Sequence, residues 1–339
     1  MMQKTGLFIV ILSLLCSVNA FGLDIAGLKK NAAAGNAKAQ YELAMQYLPG
    51  GKLTTDKKQA LAWMEKSAAG GNATAQYNMG LAYHDGAGGV KIDKHKAIFW
   101  TKKAAENGMA KAQYNLAVLY DKGDGVARNL QQAFSWYKKS AKQGHADAQY
   151  NLGMMYYSGR GVATDKKKAF YWYKKSAAQG ISDAAYNVAS MYAGGEGVER
   201  DMQKAISWYK KSAGMGNTLA EYVMGHIYYS GNGVPVDKKE AIKWIEKSAE
   251  HGNADAALSM GMIYYKGDGV KVDKKESFLW TQKSAELKNP KAQLTLGLMY
   301  LTGDGPPADR KLAALWMNRA AANGNAQARA MVKKYHLAN

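Results

Sequence analysis

Apolar and polar positions along this chain fall into two kinds of stripe that alternate. Between Ala146 and Ile181 the first stripe is Ala148, Tyr150, Leu152, Gly153 and Tyr156. Spacings of three and four place these side chains on one face of a helix. The turn Ser158-Gly-Arg-Gly-Val162 follows, then a second stripe of Ala169, Trp172, Tyr173, Ser176 and Ala177. The pattern predicts two helices joined by a glycine turn and buried on facing sides.

The same two stripes recur along the chain. All eight tryptophans occupy the slot of Trp172: Trp63, Trp100, Trp136, Trp172, Trp208, Trp244, Trp280 and Trp316. They are 37 residues apart once and 36 residues apart six times. A fixed period in this range predicts stacked helix pairs, in which each pair covers the next. Full repeats begin at Ala37, Ala73, Ala110, Ala146, Ser182, Thr218, Ala254 and Pro290. The expected fold is an all-α solenoid of eight helix-turn-helix repeats of 36–37 residues over 37–325. Residues 21–36 read as an N-terminal capping half-repeat and 326–339 as a C-terminal capping helix.

Local signals fit this division. Gly153 corresponds to Gly80, Gly225, Gly261 and Gly297, and elsewhere to Ala44, Ala117 and Ala189. A tiny residue in every repeat predicts close helix approach. Asp165 opens the second helix and matches Asp56, Asp93, Asp201, Asp237, Asp273 and Asp309, with Asn129 once; both types are favoured N-caps. Asp237 with Glu240, and Asp273 with Glu276, fit a reciprocal capping box. Gly180 closes the second helix, but Lys288 stands in its place in the seventh repeat, which predicts a slightly irregular junction before Pro290. The tryptophans read as core.

The motifs A-x-A-Q-Y-N-L-G-x-x-Y, G-x-G-V, D-x-x-K-A and W-Y-K-K-S-A run in register over 37–325. In these the chain resembles the Sel-one-like repeat family, a branch of the tetratricopeptide-like helical repeats. The resemblance implies antiparallel helix pairs in a right-handed superhelix. It also implies protein-binding adaptors, often exported from bacteria and tied to envelope functions or host contact. A cysteine-rich group of that family is linked to penicillin binding, but it carries a cysteine pair per repeat, and this chain has one cysteine in all.

That cysteine, Cys16, lies in a segment with the form of an export signal. Lys4 precedes an apolar run from Leu7 to Val18, and small residues lead to an expected cut between Ala20 and Phe21. The run is short for a bilayer span, which takes about 20 residues. Residues 1–20 are therefore expected to be removed, leaving no thiol, no integral membrane segment and a periplasmic or secreted protein.

Catalytic signals are weak. Ser135-Trp-Tyr-Lys138 and Ser207-Trp-Tyr-Lys210 match the serine-x-x-lysine of penicillin-recognising enzymes, but at a helix position held elsewhere by Tyr171 and Leu279. The Gly-Asp-Gly turns lack the oxygen ligands of a calcium loop. The six histidines fall at unrelated repeat positions. No catalytic residue, metal or cofactor is expected. A β-lactam- or cell-wall-active enzyme is the alternative from another class.

By analogy with tetratricopeptide solenoids, the first helices line a concave face. Two positions there vary between repeats and supply Met154, Tyr157, His226, Tyr229, Met262 and Tyr265, an adaptable lining for a partner protein. Charge adds a second candidate. The formal net charge is +19. The first four repeats carry +12 and the last four +2. Lysine pairs on second helices, Lys138/Lys139, Lys174/Lys175 and Lys210/Lys211, would form a basic stripe on the convex side. Such a stripe suits an acidic or envelope-associated partner, an anionic glycan or a lipid; nucleic acid is not expected for an exported protein. The expected function is an exported, non-enzymatic scaffold for protein–protein interaction, in the cell envelope or at a host interface.

Overall fold

Glycine and aspartate set the ends of nearly every helix. The computed structural model describes residues 24–335. The expected cut between Ala20 and Phe21 lies outside that range. The described residues form helices and no strands. After α1 (Ile25–Ala33), the first helices of the repeats are α2 (Ala37–Gln46), α4 (Ala73–Asp85), α6 (Ala110–Lys122), α8 (Ala146–Ser158), α10 (Ser182–Gly194), α12 (Thr218–Ser230), α14 (Ala254–Lys266) and α16 (Pro290–Thr302). The second helices are α3 (Lys57–Ala69), α5 (Lys94–Glu106), α7 (Leu130–Lys142), α9 (Lys166–Ala178), α11 (Met202–Gly214), α13 (Lys238–Glu250), α15 (Lys274–Glu286) and α17 (Arg310–Ala322). The chain closes with α18 (Ala326–Lys334). It is an all-α solenoid in two compact units, one ending at Ser176 and the other beginning at Ala177.

Within each unit, consecutive helices pack on each other. The tiny residue of the first helix makes this possible. A Cβ on Gly153 would come within 2.7 Å of the Tyr173 ring, and one on Gly297 within 2.6 Å of Met317 Cγ. Two hydrogen bonds tie the helices of a pair. The cap N–H donates to a tyrosine carbonyl of the first helix in all eight repeats, as from Asp56 to Tyr47 at 2.9 Å and Asp309 to Tyr300 at 2.8 Å. In six repeats a serine of the second helix donates to the first residue of the first helix, as from Ser140 to Ala110 at 2.7 Å and from Ser212 to Ser182 at 2.8 Å; Ala104 and Ala320 replace it in the second and eighth.

Three sequence expectations need correction. The capping boxes are one-sided. Asp237 and Asp273 accept from Glu240 and Glu276, but their own N–H groups go to Tyr228 and Tyr264. The glutamates have no donor left to meet. The junction at Lys288 is regular, because Lys288 takes the glycine's left-handed conformation at φ 66°. It is the one non-glycine residue with positive φ among those described.

The tryptophans are half-buried, not sealed in. Each wedges one edge between neighbours; Trp136, for example, packs against Ala104, Ala105, Ala112 and Leu116. On Trp63, Trp136, Trp208, Trp244, Trp280 and Trp316 the outer face of the ring carries a cation three residues on. Lys139 lies 3.9 Å from the Trp136 centroid, Lys66 lies 4.3 Å from Trp63, and Arg319 lies 4.7 Å from Trp316. A lysine stem can cover an indole and keep its charge in water, so a tryptophan here need not be enclosed.

Candidate binding surface

The first helices bury one stripe and expose another. On α14, Ala256, Ala257, Met260, Gly261 and Ile263 are buried. Met262 and Tyr265 project outward, at 47% and 48% exposure. On α12 the outward residues are His226 and Tyr229, both exposed. His226 meets the edge of Tyr222 at 4.5 Å, and the Tyr222 hydroxyl pairs with Ser259 of the next first helix at 2.9 Å. In the N-terminal unit, Met154 and Tyr157 are half-buried on α8, and Lys166 sits 3.0 Å from the Tyr157 ring centroid.

The outward tyrosines are held in place from the following repeat, which the sequence reading missed. The Tyr229 hydroxyl donates to Asp268, whose other oxygen takes Lys238 at 2.6 Å. Lys274 reaches Asp304 in the same way at 2.6 Å, and Tyr265 also hydrogen-bonds to Asp304. Asp124 plays this part for Lys94, at 2.7 Å, with His84 at 3.7 Å. In the third repeat the signs reverse, and Asp121 meets Arg160 at 2.5 Å.

These bonds shift the titrations as expected. The lysine hydrogen bond, ahead of the tyrosine one, holds the Asp268 carboxyl below its ordinary value. The hydrogen bond to Asp268 pushes the Tyr229 phenol up, and likewise raises Lys238. The signal in sequence was the spacing of 39 residues between Tyr229 and Asp268, which recurs between Tyr265 and Asp304 and between Asp121 and Arg160. The tyrosines leave ring surface exposed, while their hydroxyls are already engaged.

Between α14 and α16 the face opens into a hollow of about 450 Å³. Leu258, Met262, Tyr265, Leu298 and Met299 supply its apolar lining, and Ser277 and Thr281 its polar floor. Met262 and Tyr265 thus come together in one cavity within the C-terminal unit.

The six lysines of the predicted stripe are all exposed, and none forms an ion pair among the described residues. They rest on aromatic rings instead. Lys138 lies 5.8 Å from Phe134, Lys174 lies 5.6 Å from Phe170, Lys175 lies 5.1 Å from Tyr171, and Lys210 lies 5.7 Å from Tyr228. Lys211 lies 4.7 Å from Trp208. Lys138, Lys139, Lys174 and Lys175 belong to the N-terminal unit, and Lys210 and Lys211 to the other.

Ser135 and Ser207 are exposed on outer helix faces. Among the described residues no group of three His, Cys, Asp or Glu could hold a metal ion. No helix among them is long and apolar enough to cross a membrane.

Comparison with known proteins matches the chain to the Sel1 repeat eight times, at 37–72, 73–109, 110–145, 146–181, 182–217, 218–253, 254–289 and 290–325. A Sel1 repeat protein from Oxalobacter formigenes is similar in structure, with 32% identity and a TM-score of 0.78 over 99% of this chain and 95% of that one. A protective antigen of uropathogenic Escherichia coli strains displaying an SLR fold is 35% identical, with a TM-score of 0.76 over 93% of this chain and 68% of that one. No curated protein matches the chain at a significant level.

Proposed function

Because the chain belongs to the Sel1 repeat family, we propose that it is an exported, non-enzymatic scaffold holding a partner protein against the face of its first helices. Protein binding is what such repeat scaffolds typically do. The observation that carries the reading is the set of outward side chains on otherwise packed helices. Tyr229, Met262 and Tyr265 stay exposed, while Asp268 and Asp304 fix the tyrosine rings. A fixed aromatic ring loses little freedom on binding, so more of its contact energy appears as affinity. Export rests on the basic start, short apolar run and small residues of 1–20. A relative described as a protective antigen is compatible with an envelope or host-facing location.

The test is capture from an envelope extract on immobilised protein. Tyr157→Ala, Tyr229→Ala and Tyr265→Ala together should weaken the captured partner while helical content persists. Equal capture by the triple variant would overturn the reading. Export is checked by the mass of the protein recovered outside the cytoplasm, which should lack residues 1–20.

A second reading concerns the six exposed lysines, which pair with no carboxylate among the described residues. They would steer an acidic protein or anionic envelope polymer toward the N-terminal unit. Association should slow as the Debye length falls from about 10 Å at 0.1 M salt to about 3 Å at 1 M. Glutamine at Lys138, Lys139, Lys174 and Lys175 should flatten that dependence. A profile that is flat in the wild type, or unchanged in the variant, removes this reading.

A further inference from the structure

The hollow between α14 and α16 lies where other repeats place tyrosine rings of their own. In the third, fourth and fifth repeats a pair of tyrosines joins the first helix to the second: Tyr114 with Tyr137 at 5.8 Å, Tyr150 with Tyr173 at 5.8 Å, and Tyr186 with Tyr209 at 5.5 Å. The second-helix members are buried, at 2%, 3% and 5% exposure. In the seventh repeat the same two positions hold Leu258 and Thr281. Both rings are gone, and the facing position is Gly261.

The fourth repeat shows how the vacated space would be filled. There the Tyr173 ring lies against Gly153, the counterpart of Gly261. At Gly261 the nearest second-helix group is only the short Thr281 side chain. What remains is an open cavity floored by Thr281 and Ser277, each 2% exposed, and walled by leucine and methionine. Leucine and methionine can repack, yet here they leave the space unfilled. Its mouth is on the first-helix face, beside the exposed Met262 and Tyr265.

We propose that this hollow is a recognition subsite that takes one aromatic side chain, a tyrosine-like ring, from an extended segment of the partner protein. The chain's own repeats identify the occupant, since equivalent positions accept a phenol ring supplied from within. Here the ring would come from outside, with its apolar faces on Leu258 and Met299 and its polar edge toward the floor hydroxyls. The proposal rests on the first-helix face being the protein-binding face. Aromatic anchors seated in pockets carry a large share of the energy in such interfaces.

The direct test needs no partner. p-Cresol, the tyrosine side chain alone, is titrated into full-length protein labelled at methionine methyls. Met262 and Met299 should shift saturably, with a dissociation constant on the order of 1 mM, and cyclohexanemethanol should bind more weakly. Thr281→Tyr should abolish the shifts by refilling the space from within. Leu258→Tyr is the second, independent way to refill it, should the first variant not fold. No saturable shift in the wild type, equal binding of cyclohexanemethanol, or full binding in a folded refilled variant would overturn the proposal. If p-cresol binds as expected but a refilled variant captures partner at wild-type level, the subsite is not used and the proposal falls. The scaffold reading then stands or falls separately, on the Tyr157, Tyr229 and Tyr265 substitutions.

Discussion

A single glycine in the first repeat leaves a buried oxygen without a partner, and Gly70→Asn should restore it. The glutamine of the Ala-Gln-Tyr motif donates backward, from Gln40 Nε2 to Ala32 O at 3.1 Å and from Gln76 to Ala68 at 3.0 Å. Its oxygen accepts from a residue at the end of the second helix. Asn107 donates to Gln76 at 2.9 Å, Gln143 to Gln113 at 2.8 Å and Asn323 to Gln293 at 2.9 Å. Opposite Gln40 that residue is Gly70, and Gln40 Oε1 is buried without a partner. The Gly70 backbone, at φ −74° and ψ 4°, matches Asn107 at φ −77° and ψ 12°. Asparagine therefore fits without strain in φ.

The hydrogen bond should contribute about 0.5–1.5 kcal/mol. Loss of glycine's freedom in the unfolded chain should add about 0.4–1 kcal/mol. Against these, the new Cβ would lie 2.9 Å from Ala37 Cβ, closer than Cβ atoms come in real contacts, so α2 must shift. The second repeat makes that adjustment, with Asn107 opposite Ala73. The expected net gain is about 1 kcal/mol, read as a raised urea midpoint at unchanged m. Gly70→Ala shares the backbone gain and the close contact but lacks the hydrogen bond, so it should fall below Gly70→Asn. Equal midpoints for the two variants would refute the reasoning. So would an undiminished advantage of asparagine when Gln40 is also changed to alanine.

Three further outcomes are expected. Lys288→Gly should stabilise the chain by about 1 kcal/mol, since a left-handed non-glycine costs about 1–2 kcal/mol, and thermal unfolding will show it. Gly225→Ala should cost about 1–3 kcal/mol by overpacking, because its Cβ would overlap Ile245 Cγ1 and lie 3.2 Å from the Ala241 carbonyl; Ile245→Ala should then cost less in the Gly225→Ala background than in the wild type. His145, stacked on Tyr114 at 4.7 Å and capping α8 through Nδ1, is held below its ordinary value of 6.5 chiefly by burial, with Asp147 opposing. Its contribution is therefore full above about pH 6.5 and lost as pH falls through the lower folded value; His145→Asn should reduce the fall in urea midpoint between about pH 7 and pH 5.

The period, the caps and the tiny residue were legible because each is fixed by its own backbone geometry. Any aspartate at Asp93 or Asp201 caps its helix whatever its neighbours are. The half-burial of the tryptophans was not legible in the same way. A tryptophan three residues after alanine looks the same in sequence whether a helix or Lys139 covers its outer face. The outward residues were legible as variable positions, since Met262 and Tyr265 break the monotony of the repeat. Their tethering was hidden, because Asp268 and Asp304 lie in glycine turns that read only as turn chemistry.

The buried ladder shows what kind of information was missed. Read down the repeats, the motif position is Gln40, Gln76, Gln113, Gln149, Ala185, Glu221, Ala257 and Gln293, which as a single column looks like drift. Its opposite number is Gly70, Asn107, Gln143, Gln179, Met215, His251, Leu287 and Asn323. Read as pairs, the two columns change together. Amide faces amide in the second, third and eighth repeats. Alanine faces Met215 and Leu287, and in those two repeats the amide bond moves next door, from Asn217 to Asp183 at 2.7 Å and from Asn289 to Asp255 at 2.8 Å. Glu221, fully buried, faces His251 at 2.9 Å and Lys247 at 3.3 Å. A buried carboxylate is tolerable only with such partners, so glutamate at this position goes with His251 and Lys247 opposite it. The first repeat alone breaks the pairing, with Gln40 opposite Gly70, and there the structure leaves an orphan oxygen. A repeat protein thus carries a small alignment of itself, and a substitution that looks like noise in one column is a packing rule when read with its partner.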